Sequence, residues 1–282
     1  MLLVKYLKLN IPSLKHLPSS LCNLLSLHTL DMPSSYIHHT PDGIWKMYKL
    51  RHLNFGSVTL PAHPGKFCSS LENLNFISVL HPSSCTQDIL GRLPSLQTLR
   101  VHENLSSYQF MLSNSLCALL RVESLKLVNE RTIVSQPSSM VPPEYQFPPR
   151  LVELSLSNTE LRDDPMPTLE KLPHLQVLKL KKNSFIDRKL VCSAGGFPSL
   201  KVLHLKSMFW LEEWTMKNDA WPKLESLIIN PCAYLKILPE ELWRIKSFTK
   251  LELWWPRFEL REKLRKFEDK EQYHIQIYPY GM

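Results

Sequence analysis

The sequence lacks the short motifs that mark most nucleotide, metal and redox sites. Its seven glycines include no G-x-x-x-x-G-K-[ST] phosphate loop, and its six cysteines form no C-x-x-C pair. Among the eleven histidines, His38, His39 and His63 have no companion ligands at metal spacing. No serine or cysteine lies in a recognisable nucleophile elbow. We therefore expect no enzyme, no cofactor and no metal.

Long apolar runs and blocks of like charge are also missing. No apolar stretch approaches the roughly 18 residues of a membrane span. The irregularly spaced cysteines favour reduced thiols in a cytoplasmic protein rather than a disulfide framework. The net charge is +8, but 34 Lys and Arg are spread among 26 Asp and Glu. Without a run of five like charges, a basic protein-binding face fits at least as well as a nucleic-acid site.

What the sequence does contain is a repeated Leu-x-x-Leu-x-Leu frame, which Leu151, Leu154 and Leu156 illustrate. Polar residues alternate with the last two leucines, as a strand with one buried face requires. Successive frames open 21 to 29 residues apart, within the leucine-rich-repeat range of about 20 to 29. The eleven openings are Val4, Leu27, Leu50, Leu71, Leu96, Val122, Leu151, Leu175, Leu200, Leu224 and Phe248.

The frame predicts an α/β solenoid, a leucine-rich-repeat horseshoe. One repeat cannot bury its own leucines, so stacked repeats place them in a continuous interior behind a parallel sheet. We expect the sheet on the concave side. The convex side should hold irregular, partly helical returns, because leucines between the frames recur at helical spacing.

The frame also suggests a division of the chain. Residues 1–258 form the repeat array, and residues 259–282 a C-terminal cap with an amphipathic helix over Glu259–Lys270 and a last strand over His274–Tyr278. The first repeat has no polar N-terminal cap, so we expect the array to be part of a longer one.

Two stretches interrupt the period. The segment from Val128 to Arg150 carries five prolines and several serines, which predicts a surface loop. A second insertion runs from Lys182 to Gly196. Insertions of this kind often serve binding, although tolerated variation explains them equally well.

Candidate binding residues come from the outward positions two, four and six residues after each opening. One interpretation of the basic ones is a solvated sheet face, and another is a surface that binds an acidic protein. Nucleic acid is not expected, because stacking aromatics are not interleaved with these residues. Tyr6 and Trp254 are candidate aromatic anchors, whereas Trp210, Trp214, Trp243 and Trp255 are expected to pack under loops. The basic candidates are Arg100, His102, Lys126, Lys179, Lys181, His204 and Lys206.

Three passages resemble a known family. They are FPPRLVELSLSNTELRDDPMPTLEKLPHLQVLKLKKNSF from Phe147, FPSLKVLHLKSMFWLEEWTMKNDAWPKLESLIINPCAYLKILPEEL from Phe197, and the closing tail. The L-E-E-W after one strand and the C-x-x-L-x-x-L-P after the next are the most specific elements. The chain resembles the C-terminal repeat domain of plant intracellular nucleotide-binding leucine-rich-repeat disease resistance proteins, of the late blight resistance protein homolog type.

The resemblance implies a protein-binding recognition module of an innate immune receptor. Such a module senses a pathogen effector or a modified host protein and restrains a nucleotide-binding switch domain, which this sequence does not contain. Its partners would be proteins, including that switch domain. Two alternatives stay open: the substrate-receiving repeat domain of a ubiquitin ligase adaptor, and an inert truncated paralogue.

Overall fold

The computed structural model of the protein describes residues 3–62, 70–130, 147–160, 165–266 and 272–278. They fall into two compact units. Unit 1 holds the described residues up to 130 together with 147–151, and unit 2 holds those from 152 onward. Each unit is a stack of parallel strands joined by short returns, so the predicted leucine-rich-repeat fold is confirmed.

The sheet of unit 1 has six strands in sequence order. Its returns hold two short α-helices, α1 (Gln87–Gly91) and α2 (Gln109–Ser115), and several 3-10 helices such as Asp42–Lys46. The strands are β1 (Tyr6–Lys8), β2 (Thr29–Ile37), β3 (His52–Val58), β4 (Phe76–Leu80), β5 (Thr98–Glu103) and β6 (Ser124–Asn129).

Unit 2 also has a main parallel sheet, in the order β7-β8-β10-β12-β13-β14, and a second parallel sheet of β9 and β11. Its helices are α3 (Met166–Leu169), α4 (Phe258–Arg265) and the 3-10 turn Glu240–Arg244. The strands are β7 (Glu153–Ser157), β8 (Val177–Lys181), β9 (Lys189–Cys192), β10 (Val202–Lys206), β11 (Glu213–Met216), β12 (Ser226–Asn230), β13 (Lys250–Trp254) and β14 (His274–Tyr278).

The leucine frame sets the register between strands. In unit 2, Leu203 of β10 lies opposite Leu178 of β8 and Leu227 of β12, and all three are fully buried. Because parallel neighbours in register align equal positions, the leucines form continuous columns. Removing one such side chain from water contributes about 1.5–3 kcal/mol.

The fourth repeat opens at a different residue from the one predicted. Leu53 of β3 pairs with Ile77 of β4, so the frame there is Leu74, Ile77 and Val79 rather than one opening at Leu71. The spacings on either side become 24 and 22 residues (74 − 50 and 96 − 74). Ile77, predicted to point outward, is fully buried, and Phe76 is half-exposed. Leu71 misled the prediction because it is also buried, in the turn before the strand.

The predicted C-terminal elements are present. Helix α4 covers Phe258–Arg265, and positions 267–270 of the predicted helix lie outside the described residues. Strand β14 continues the parallel register, with Ile275 opposite Leu251. At the other end, Leu3 is 69% exposed, and Leu7 and Leu9 are half-buried. The capping role of residues 259–282 stays a prediction.

The two insertions have different outcomes. Strand β6 continues to Asn129, so the proline-rich insertion begins later than predicted, and its positions 131–146 lie outside the described residues. The second insertion is not only a loop, because β9 lies within it and pairs with β11. Leu190 and Cys192 of β9 are buried in alternation, a pattern too short to stand out in the sequence.

Four of the five cysteines in the described residues are buried, and Cys117 is half-buried. The five in the described residues, Cys22, Cys85, Cys117, Cys192 and Cys232, are free of disulfides. Burial raises the pKa of Cys232 to about 12 and that of Cys85 further still. These two thiols therefore stay protonated and unreactive at neutral pH.

The shifted frame of the fourth repeat predicts how two adjacent substitutions rank. We expect Ile77→Ala to lower the free energy of unfolding by about 2–5 kcal/mol, because it opens a cavity in the core. We expect Phe76→Ala to lower it by about 1 kcal/mol, since that ring is half-exposed. Urea unfolding followed by circular dichroism measures both. A larger loss for Phe76→Ala would restore the frame that opens at Leu71.

Candidate functional site

The basic candidates of unit 2 converge on one side chain, His204 in the middle of β10. The sheet register places His204 beside Lys179 of β8, and Lys206 beside Lys181. The positive charges of Lys181, Lys206 and Lys179 all act on the imidazole. Four of the predicted residues therefore lie together on the outward face of two adjacent strands.

Within this group His204 is not a cation at neutral pH. Burial, with smaller contributions from the three lysines, lowers the pKa of His204 to about 4, although Glu252 acts in the opposite direction. Its Nε2 atom is buried and has no hydrogen-bond partner among the described residues. The lysines therefore carry the charge of this group at neutral pH, and the binding role of His204 stays a prediction.

The three lysines differ in their surroundings. The Lys179 ammonium forms an ion pair and hydrogen bond with Glu153 of the neighbouring strand β7. Lys181 is half-buried, and Lys206 is exposed. No carboxylate of the described part of the chain lies within salt-bridge distance of Lys206. Lys206 is consequently the member of the group best placed to meet a partner's carboxylate.

The basic candidates of unit 1 lie on β5 and β6. Arg100 is opposite Lys126 in the register, and both are half-buried. The imidazole of His102 lies 2.7 Å from a carboxylate oxygen of Glu130. Burial lowers the pKa of His102 most, and Glu130 partly offsets this. This second group therefore combines two cations with a histidine that already has an acidic partner.

Tyr6 belongs to a polar network on the outward face of unit 1. Its hydroxyl donates to Asp31 Oδ2 at 2.8 Å, and Asn54 Nδ2 donates to Asp31 Oδ1 at 2.7 Å. The Lys8 ammonium lies 3.6 Å from the same carboxylate. The Tyr6 hydrogen bond is the largest of the effects that lower the pKa of Asp31, and the same bond raises the pKa of Tyr6. The network ties β1, β2 and β3 together while leaving the Tyr6 ring 57% exposed.

Trp254 is held rigidly at the end of β13. Its ring stacks on Tyr278 of β14, with centroids 4.3 Å apart, and its Nε1 donates to Glu252 at 2.6 Å. Glu252 is held in turn by Lys250 at 3.3 Å. Trp254 is only half-exposed, whereas the adjacent Trp255 is 56% exposed. Trp254 thus supports an aromatic surface that Trp255 extends into solvent.

The prediction for the other tryptophans holds in part. Trp214 is buried against Trp221, with ring centroids 5.3 Å apart, and Trp243 is half-buried against Phe248 and Tyr273. Trp210 is 50% exposed, and Trp255 is exposed as stated above, so the prediction that they pack under loops is wrong. Residue type alone could not indicate which tryptophans are buried, because Trp is common both in protein cores and on binding surfaces.

No group of three or more His, Cys, Asp or Glu within the described residues could hold a metal ion. Across the same described ranges, no helix has the length and apolarity needed to cross a bilayer.

A match to a known family accompanies this geometry. The sequence profile described as a leucine-rich repeat region matches residues 1–148, just over half of the 282 residues. The chain belongs to the leucine-rich repeat family. The repeat frame, the parallel register and the buried leucine columns are the structural counterparts of that match.

Relatives of this leucine-rich repeat chain include plant proteins named for disease resistance, all from Arabidopsis thaliana. Disease resistance RPP8-like protein 3 is 28% identical over 93% of this chain and 34% of its own length. Disease resistance protein RPP8 is 30% identical over 93% of this chain and 31% of its own. Putative disease resistance protein At1g59780 is 33% identical over 89% of this chain and 28% of its own length. The chain spans about a third of the length of these relatives.

Among solved structures, a leucine-rich-repeat protein of Leptospira interrogans is 15% identical over 97% of this chain and 95% of its own, with a TM-score of 0.33. A likeness of this degree bears on no functional question.

The Asp31 network predicts a dependence of stability on pH. The pKa of Asp31 is lowered in the folded state. Its contribution to stability is therefore fully present above the unfolded value of about 3.9 and is lost as pH falls through the lower folded value. The difference in unfolding free energy between wild type and Asp31→Asn should be constant above about pH 5 and shrink below about pH 4.

Urea unfolding at stepped pH measures this difference. Asp42→Asn, at an exposed carboxylate outside the network, gives the background for the removal of one negative charge. A wild-type advantage over Asp31→Asn that persists unchanged to pH 3 would show that the network does not stabilise the ionised carboxylate.

Proposed function

We propose that the chain is the protein-binding recognition module of a plant innate immune receptor. The observation that carries the proposal is the similarity to disease resistance proteins over 93% of the chain. The relatives are about three times as long as the aligned part. The module would therefore act together with a nucleotide-binding switch domain in a cytoplasmic receptor, sensing a pathogen effector or a modified host protein and restraining the switch.

The arrangement of side chains supports binding rather than catalysis. Each sheet has a rigid outward face, because backbone hydrogen bonds and buried leucines hold the strands in register. Polar and charged side chains project from that face at fixed spacing. Such a face suits recognition of a partner surface, since charge complementarity raises association rate and selectivity.

The lysine group of unit 2 is the surface we assign to the switch domain. Lys181 and Lys206 lie side by side in the register, and their charges meet at the neutral ring of His204. Like charges this close make an anionic partner favourable, because its carboxylates relieve the repulsion between them. Arg100 and Lys126 of unit 1 are a second basic pair for the same class of partner.

Charge reversal tests the assignment. Lys181→Glu with Lys206→Glu should weaken binding to the switch domain at least tenfold, about 1.4 kcal/mol, because like charges across an interface repel. Lys179 is left intact, since its reversal would face Glu153. The probe is the nucleotide-binding domain that the proposal expects in frame upstream of Met1, and binding is measured by pulldown at low and high salt.

The control reverses two exposed lysines elsewhere in unit 2, Lys223→Glu and Lys246→Glu. It should bind like wild type, and all variants must unfold at the same urea concentration. If Lys181→Glu alone shifts the urea midpoint of unfolding, the binding of the single variant Lys206→Glu decides whether the lysine group binds the switch domain. Unchanged binding without salt dependence removes the lysines from the mechanism. An adaptor helix bundle or a stop codon upstream of Met1 would replace the proposal with the ubiquitin ligase or the truncated paralogue.

A further inference from the structure

Unit 2 carries a row of exposed aromatic side chains outside the lysine group. Trp210, Tyr234 and Phe258 each lie ten residues after the opening of their repeat, in three consecutive repeats. Their exposed fractions are 50%, 51% and 72%. Strands β10, β12 and β13, which precede them, are adjacent in the sheet. Equal positions in a parallel stack repeat along one edge, so the three rings follow the edge where these strands end.

Local structure holds the first two rings outward. In the turn Met208–Leu211 the N–H of Leu211 donates to the Met208 carbonyl at 3.4 Å, and both side chains are buried. The turn Cys232–Leu235 repeats this arrangement, with a hydrogen bond of 3.2 Å and both ends buried. With the two ends of each turn anchored in the core, Trp210 and Tyr234 between them face solvent.

The third ring is presented by a helix. Phe258 is the first residue of α4, which is anchored by the buried side chains of Leu260 and Leu264. Three residues earlier, Trp255 lies beside Trp254 with ring centroids 5.6 Å apart. The exposed Trp255 thus adjoins the fixed stack of Trp254 on Tyr278.

The exposure of the row is not a property of the position itself. The residue ten positions after the opening is buried in the preceding repeat of unit 2, where it is Phe185. It is also buried in two repeats of unit 1, where it is Ile37 and Leu60. Core packing at this position is thus available to an apolar residue. In three neighbouring repeats the aromatic side chain at this position is exposed instead. Exposed neighbouring aromatics of this kind mark interaction sites.

The charges around the row favour an acidic partner. Glutamates of the same segments are already neutralised: Glu212 by Arg188 at 3.3 Å and Glu213 by Lys189 at 2.9 Å. Within the described ranges, no carboxylate lies within salt-bridge distance of the exposed Lys182, Lys206 and Lys236, which belong to three consecutive repeats. The segments therefore keep an excess of positive charge beside the rings. A protein segment is favoured over a nucleic acid, because Arg188 and Lys189 are already paired with these glutamates and leave few cations to neutralise a phosphate backbone.

We propose that Trp210, Tyr234 and Phe258 form a docking row for an acidic protein segment that carries apolar side chains. This rests on the proposed function in that the chain is taken to recognise proteins. The rings supply apolar anchors that the turns and helix α4 already hold toward solvent. Lys182, Lys206 and Lys236 pair with acidic side chains of the segment. Aromatic anchors of this kind dominate binding energy at protein interfaces.

Peptide selection tests the row without any knowledge of the natural partner. A phage-displayed library of random peptides, about a dozen residues long, is panned on the whole protein. Selected sequences should combine Asp or Glu with Leu, Phe or Trp. A fluorescent copy of the best peptide should bind Trp210→Ala/Tyr234→Ala/Phe258→Ala at least about 30-fold more weakly than wild type, as expected for hot-spot residues. Lys182→Glu/Lys236→Glu, which leaves Lys206 intact, should also weaken binding, and salt should weaken it progressively.

The matched control is Leu25→Ala/Tyr48→Ala/Leu120→Ala, which removes three exposed apolar side chains of unit 1 and should leave peptide binding unchanged. Equal urea midpoints establish that all variants are folded. Equal peptide affinity of wild type and the triple aromatic variant, or enrichment of basic peptides, overturns the proposal. So does single-stranded DNA that binds wild type more tightly than the peptide and loses binding in the triple variant. The triple aromatic variant leaves the lysine group intact, so the peptide test and the switch-domain pulldown can fail separately.

Discussion

The parallel alignment of equal positions is the constraint on which the rest of this structure depends. A single repeat of about two dozen residues has too little interior to cover its own leucines. Only when neighbouring strands pair in register, as Leu178, Leu203 and Leu227 do, does each leucine find partners on both sides. Backbone hydrogen bonding and apolar burial therefore require the same register. Any segment that disturbs it must be placed outside the sheet.

This constraint explains where functional side chains can be. The leucine columns occupy the inward positions, and replacing one of these leucines by a smaller or polar residue would destabilise the core. Outward positions and the turns after each strand are free of that demand. On the outward face, register brings Lys181 and Lys206 together. In the turns, buried residues such as Met208 and Leu211 anchor the chain and leave the residues between them to solvent. Exposed side chains can thus vary from repeat to repeat while the fold stays constant.

Interactions among the outward residues also change what each contributes. The sequence offers His204 as one more basic residue, yet burial among lysines leaves its ring neutral. Lys179 is held by Glu153, and His102 by Glu130. Tyr6 and Trp254, both proposed as aromatic anchors, each form hydrogen bonds to a carboxylate. A list of outward residues therefore overstates the charge that a partner meets.

The sequence by itself determined the repeat period, one strand for each repeat of the frame, the burial of most leucines of the frame and the outward positions of the candidate residues. It could do so because burial of one strand face imposes a two-residue alternation that survives in the order of side chains. Only the tertiary structure decided the frame of the fourth repeat, since Leu71 and Leu74 are both apolar and only pairing with Leu53 and Leu99 selects Ile77 for the core. It also decided the pairing of β9 with β11 and the exposure of Trp210, Tyr234 and Phe258. Such features depend on contacts between residues about 24 positions apart in the sequence. The type of a single residue does not indicate which residue will be its neighbour on the next strand.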